Sequence, residues 1–385
     1  MNKWGKALLQ TLSYVLVAVS ATCLTMAMCM PQKGYSKLTE LQNLIDACFI
    51  GDTDKTQLED AAAAAMVGAT GDRWSYYIPA DQFAAHMEQM NNSYVGIGVT
   101  ISGTLTELGT EILQVEPTGG AKDAGILPGD ILSTVNGQSV AENGIDKCKE
   151  IIRGEPGTTV EIGIIREGKP MTFQVERKTI QVIVAEAQML NNKIGLIKIA
   201  NFDERCADET IAAIETLVGQ GATALIFDVR NNPGGYKKEL VEVLDYLLPE
   251  GEIFRTVDYA GKEEITKSDE NCLKIPMAVI FNGNSYSAAE FFAAALEEYD
   301  WAVTVGEPTV GKGYFQNTYN LSDGSAVGLS IGKYFTPKGV SLGEVGGLKP
   351  NVPKGVDEET SAKIYAGLLA PEQDPQIQAA IDALK

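Results

Sequence analysis

Ile275-Pro276-Met277-Ala278-Val279-Ile280-Phe281-Asn282-Gly283-Asn284-Ser285-Tyr286-Ser287-Ala288-Ala289-Glu290-Phe291-Phe292-Ala293-Ala294-Ala295-Leu296-Glu297-Glu298 changes its structural signal once along its length. The apolar run from Ile275 to Phe281, closed by Asn282-Gly283-Asn284, predicts a buried strand that ends in a turn. From Ala288 onward, strong helix formers with an apolar stripe predict a helix. Ser287 stands at the joint. There, unpaired backbone N–H groups and the positive end of the helix macrodipole favour negative charge. A serine three residues before Glu290 also fits a capping box, which need do no more than start a helix.

Working outward, strand and helix signals alternate from Asn191 to Val356. Lys193 to Ile199 reads as a strand and is followed by a helix around Ala207 to Gln220; Ala224 to Val229 is followed by another around Lys237 to Leu248. This order predicts an α/β layered core. Downstream of Ser287, Lys312 lies in the turn-rich Gly306-Glu307-Pro308-Thr309-Val310-Gly311-Lys312-Gly313. A lysine acts as a base only when neutral, so burial must draw its pKa down from about 10.4. Glycines on both sides let backbone pack close and exclude water; the plain alternative is a solvated loop lysine. Ser287 and Lys312 together read as the nucleophile and general base of a serine peptidase that uses lysine in place of histidine.

Four separate motifs, in order, resemble the carboxyl-terminal processing peptidases, also called tail-specific proteases. They are Asp228-Val229-Arg230-Asn231-Asn232-Pro233-Gly234-Gly235, then Asn282 to Glu290, then Val305 to Gln316, and finally Asp323-Gly324-Ser325-Ala326 with Tyr334-Phe335-Thr336-Pro337-Lys338-Gly339. The resemblance implies a crossed, crotonase-like arrangement of the layered core. It assigns Ser287 as nucleophile, Lys312 as base and Gln316 as the residue that orients the lysine. It also implies an oxyanion hole made by the backbone N–H of Ala288 and one from Gly234 or Gly235. The chain departs from the family pattern at Asn284, Tyr286 and Ala289, and Asp72-Arg73-Trp74-Ser75 stands where an Asp-Pro-Tyr-Ser type of sequence is usual. The bulk of Tyr286 bears on the pocket beside the nucleophile.

At Tyr94 short alternating strands and glycine turns begin, and from there to about Ile180 the chain resembles a PDZ domain. Gly96-Ile97-Gly98-Val99 matches the carboxylate-binding loop and strand, and Gly119 to Leu132 matches the stretch leading to Val135-Asn136-Gly137. Successive backbone N–H groups in such a loop capture a terminal carboxylate, while an open strand edge pairs with the peptide before it. The implied partners are protein or peptide substrates with free C-terminal tails. The rival reading is a catalytically silent PDZ scaffold on a protease-like fold.

Residues 1–31 read as a cytoplasmic stub and membrane signal anchor. Lys3 and Lys6 precede an uncharged stretch from Ala7 to Met30, long enough to span a hydrocarbon core of roughly 30 Å. A cleaved signal peptide is the second reading; either way the remainder is expected outside the cytoplasm. Residues 32–92 are expected to be helical, 93–180 to form the PDZ domain, and 181–385 the peptidase core with a C-terminal extension. A formal net charge of −20 argues against nucleic acid as a partner. His86 is the single histidine, on a stretch that reads as an amphipathic helix, so a multi-histidine metal site is excluded. No metal or cofactor is expected. Cys48, Cys148, Cys206 and Cys272 are widely spaced and suggest free thiols rather than a disulfide framework. Gly339-Val340-Ser341-Leu342-Gly343 imitates a nucleophile elbow, but no helix is expected after it and no histidine follows.

Overall fold

The computed structural model describes residues 36–191, 193–365 and 367–385. The expected anchor lies outside the described residues; among those described, no helix is long and apolar enough to cross a membrane. Residues 36–69 belong to a unit of their own, with helices Lys37–Cys48 and Lys55–Gly68. Their first turns are capped by Ser36, which accepts the Thr39 N–H, and by Asp54, which accepts those of Thr56 and Gln57.

Residues 70–385 form the second unit. Its centre is a six-stranded sheet in the order Ala185–Met189, Ile194–Ile199, Ala224–Asp228, Met277–Phe281, Ala302–Gly306, Val352–Pro353. The first pair is antiparallel and the rest parallel. Side chains alternate across this sheet, as strand geometry requires. Met277, Val279 and Phe281 join the core that contains the helices Cys206–Gly219, Lys237–Leu247 and Ala288–Glu298. Ala278 and Ile280 face the other way, where the C-terminal helix Pro375–Ala383 contributes Ile377, Ala380 and Ile381. A strand buried on both faces reads as the continuous apolar run seen in the sequence.

A second, antiparallel sheet runs Tyr76–Ile78, Ala326–Phe335, Gly251–Asp258, Glu263–Ser268, with Tyr314–Asn320 also pairing with Ala326–Phe335. Its Ile253, Phe254 and Tyr334 enter the same core as Phe291 and Phe292. The segment 70–92 was expected to be helical, yet it supplies the strand Tyr76–Ile78 to this sheet before the helix Ala80–Met90. Three residues give too short a period for alternation to show, and the pairing is made with a strand about 250 positions away.

The PDZ module is a six-stranded antiparallel sheet: Val99–Ile101, Thr110–Val115, Ile131–Val135, Thr159–Arg166 and Lys169–Glu176 in order, with the short Gln138–Ser139 paired to Ile131–Val135. Its own core includes Ile112, Leu132, Ile162, Ile164, and Cys148 and Ile152 of the helix Ile145–Ile152. Chain entry and exit are joined as an antiparallel pair, Ser93–Gly96 with Lys178–Gln181. Arg177, just before the exit strand, is buried and donates to the carbonyls of Ile151, Ile152 and Thr159.

Candidate active site

Ser287 follows the turn after Met277–Phe281 and caps the helix Ala288–Glu298, as expected, but not in the conformation of an ordinary cap. Helix N-caps are normally extended, whereas Ser287 has φ 59° and ψ −125°. A non-glycine residue is held in that region only when its surroundings impose it. Such a strained strand-to-helix turn lifts a serine hydroxyl clear of the chain. Opposite it, Gly234 has φ +90°, and a Cβ there would lie 2.7 Å from Ser287 Cβ and 2.8 Å from the Ala288 nitrogen. Only glycine fits.

The turn is tied down from behind. Ser285 Oγ donates to the Val229 carbonyl at 2.7 Å, and Asn282 Oδ1 accepts the N–H groups of Asn231 and Asn284. Arg230 is buried with Asp228 at 2.6 Å and Asp374 at 2.8 Å, and donates to Gln376, so the C-terminal extension braces the Asn231-to-Gly235 loop. Asn232 Oδ1 accepts the Gly234 N–H at 2.8 Å. The N–H groups of Gly235 and Ala288 meet no acceptor among the described residues.

Glu290 links the serine to the lysine. Its carboxylate is fully buried and accepts the Ser287 N–H at 2.9 Å, the Gly311 N–H at 2.7 Å, the Lys312 N–H at 2.9 Å and the Thr309 hydroxyl. Burial pushes its pKa up, against those four hydrogen bonds. The sequence showed Glu290 only as a capping residue. Its bonds to a loop twenty residues on carry no sequence signal.

Lys312 lines the same cavity as Ser287, of about 850 Å³. Burial draws its amine down to about 8, opposed by the charges of Glu290 and Asp72. Its Nζ lies 5.1 Å from the centre of the Trp74 ring and 5.9 Å from that of Tyr286, and no hydrogen bond from it reaches a described residue. The Ser287 oxygen instead accepts from the Tyr334 hydroxyl at 3.3 Å. Burial holds that phenol well above its ordinary range, so it keeps its proton. Tyr334 lay in a quoted motif, but its role depends on folding strand Ala326–Phe335 back over the helix.

Gln316 lines the cavity too, yet its amide donates to the Tyr314 carbonyl at 3.1 Å and to Ser330 Oγ at 3.0 Å rather than engaging Lys312. His86 packs against Tyr76, with ring centres 5.7 Å apart and planes tilted by 46°, and also borders the cavity; burial lowers its pKa below 6.5. Ser341 is followed by a one-turn helix, Leu342–Val345, where none was expected: Gly346 closes it in the left-handed conformation. Among the described residues there is no group of acidic, histidine or cysteine side chains placed to hold a metal. The four cysteines described are unpaired.

In the PDZ module, Ile97 is buried and Gly98 has φ +75°. The carbonyls of Ile97 and Gly98 accept from Ala121 and Glu116, while their own N–H groups meet no acceptor among the described residues. Val99–Ile101 is an edge strand, paired on one side only, with Thr110–Val115.

A strained serine at a helix N-terminus, a desolvated lysine on the same cavity and a module of this topology define a serine peptidase that carries a PDZ domain. Residues 193–353 match the model of peptidase family S41, and residues 93–176 that of the PDZ domain. The chain is 33% identical over 323 residues to the carboxy-terminal processing protease CtpA of Bacillus subtilis, covering 83% of this chain and 68% of that one. It is 29% identical over 319 residues to the chloroplastic carboxyl-terminal-processing peptidase 2 of Arabidopsis thaliana, covering 79% of this chain and 62% of that one. A solved S41 protease of Bacteroides fragilis shares the fold, with a TM-score of 0.53 at 15% identity over 87% of this chain and 92% of that one. The chain belongs to peptidase family S41, among the carboxy-terminal processing proteases.

Proposed function

We propose that this chain is an endopeptidase that takes protein C-terminal tails through its PDZ module and cleaves them by Ser-Lys acyl-enzyme chemistry. The observation that carries this reading is the Glu290 carboxylate, which fixes the backbones of Ser287 and Lys312 on one cavity wall. Neutral Lys312 takes the Ser287 proton, Ser287 attacks the carbonyl, and the N–H groups of Ala288 and Gly235 hold the oxyanion. Gly235 is preferred to Gly234 because the Gly234 N–H is already given to Asn232. Lys312 then returns the proton to the leaving amine, and water releases the acyl group. Gln316, on the strand Tyr314–Asn320 and lining the same cavity as Lys312, is assigned to orient the amine once substrate is bound. The N–H groups of Ile97 to Val99 are assigned to the tail carboxylate, with the free edge of Val99–Ile101 pairing with the residues before it.

Attachment to a membrane with the catalytic part outside the cytoplasm rests on the uncharged stretch 7–30, and alkaline extraction of membranes tests it. For the chemistry, the purified chain is incubated with a fluorophosphonate and mapped by mass spectrometry. The adduct should fall on Ser287, and modification elsewhere with Ser287 untouched would reject the assignment. The sign of the pH dependence follows from the base: activity is low while Lys312 is protonated and rises to a plateau through about pH 8. His86 titrates below 6.5 and does not account for that rise. A flat profile of kcat/KM between pH 6.5 and about 9.5 would exclude Lys312 as base.

A further inference from the structure

Two of the chain's departures from the family pattern meet in space. Trp74 lies in the segment that departs from the Asp-Pro-Tyr-Ser type, and Tyr286 replaces a small residue before the nucleophile. Their rings lie 5.9 Å apart and 31° from parallel. The Lys312 Nζ is within 6 Å of both ring centres, and no hydrogen bond from it reaches a described residue. We propose that Trp74 and Tyr286 form an aromatic slot that seats the Lys312 ammonium and keeps water from it, making them positioning residues for the base. This rests on the reading of Lys312 as general base.

The slot is built rather than incidental. Asp72 accepts the Trp74 N–H at 3.1 Å and the Ser75 hydroxyl at 2.6 Å, and Ser75 in turn accepts the Ser330 N–H at 3.1 Å, which pins the tryptophan segment to the antiparallel sheet. Tyr286 is fixed by its own N–H, given to the Asn232 carbonyl at 3.1 Å. The charged and titratable groups around Lys312 are Glu290 from the helix behind it, Asp72 from the segment before Trp74, Arg73, whose guanidinium lies 4.2 Å from the Trp74 ring centre, and the Tyr286 and Tyr334 phenols. Glu290 and Asp72 both favour the charged amine. The aromatic faces favour it as well, by their quadrupole. The exclusion of water is the main influence opposing it, the like charge of Arg73 acting in the same sense, and the two rings supply part of that exclusion. Burial is the largest influence on this amine, so readmitting water by opening the slot is expected to move the titration upward.

The test is the pH profile of kcat/KM for the full chain carrying Trp74→Ala with Tyr286→Ser, on a peptide with a free C-terminus. The midpoint is expected to move about one pH unit alkaline, giving about tenfold less activity at neutral pH with the alkaline plateau kept. Trp74→Phe and Tyr286→Phe, which keep an aromatic face, should hold the midpoint. An unmoved or lowered midpoint overturns the proposal, as does a lost plateau with the midpoint unchanged, which marks a structural role. Should the double variant not fold, Tyr286→Ser alone is read by NMR titration of 13C-labelled lysine in a Ser287→Ala chain. The Lys312 resonance should titrate at higher pH than with Tyr286 present, and an identical titration sinks the slot. This second readout needs no turnover. Activity surviving in Lys312→Ala would instead defeat the base assignment, which separates the two failures.

Discussion

The two anion cradles proposed above, one at Ile97-Gly98 in the PDZ module and one at Ala288 with Gly235 in the core, are supported very differently. The PDZ loop is held by two backbone hydrogen bonds, from Ala121 and Glu116. The core site is backed by a buried carboxylate with four donors, a buried Arg230 between two aspartates, and a strained serine. A tail carboxylate arrives with its charge already formed, so a loop of free N–H groups suffices. An oxyanion exists only while the bond is changing, and donors help only if they are already aimed and need no reorganisation. Rigidity is concentrated where the charge is transient.

The sharpest break in this comparison is removal of the chemistry. Lys312→Ala or Ser287→Ala should lower kcat/KM by about 10⁴-fold or more, with tail affinity measured by calorimetry unchanged; loss of both together would mean that the two cradles are not independent. Glu290→Ala comes next. It strands three backbone N–H groups and a hydroxyl in the interior, at about 1 kcal/mol or more each. The core should lose about 3–5 kcal/mol, read from its calorimetric transition, while the PDZ transition stays in place. An unshifted core transition would show that the carboxylate is not the brace described.

On the PDZ side, Gly98→Val should weaken tail binding, since φ +75° and a Cβ 2.8 Å from the Gly119 Cα admit only glycine. The module should lose about 1–3 kcal/mol, with cleavage of a short peptide lacking a recognised tail little altered. The smallest effect is expected from the ligand: amidating the tail should weaken binding about tenfold. Equal affinities for the acid and amide would remove the carboxylate from the account of Ile97 and Gly98.

Much of this is legible in the sequence, and what is not has physical causes. The strand at Met277–Phe281 and helix at Ala288–Glu298 announce themselves because both faces of one and a full stripe of the other are apolar. The helices Cys206–Gly219 and Lys237–Leu247 fall within a residue or so of where alternation placed them. Ser287 and Lys312 stand out because their neighbours are motif residues. Tyr334 and Trp74 approach Ser287 and Lys312 only through tertiary folding, from residues 47 and 238 positions away respectively. The brace between Arg230 and Asp374 likewise crosses from one end of the core to the C-terminal helix. Charge patterning along the chain does not disclose such pairings. The strand Tyr76–Ile78 was hidden by its length.

The antiparallel pair Ser93–Gly96 with Lys178–Gln181 has a topological consequence. Its register sets Gly96 opposite Lys178, so the two chain ends on which the module hangs are one strand spacing apart, about 5 Å. A gap that small is one a two-residue hairpin turn closes. Everything from Ile97 to Arg177 is therefore expected to behave as a cassette: excising it and sealing the ladder with Asn-Gly, or exchanging it for another domain with adjacent termini, should leave the residues around Ser287 in their places.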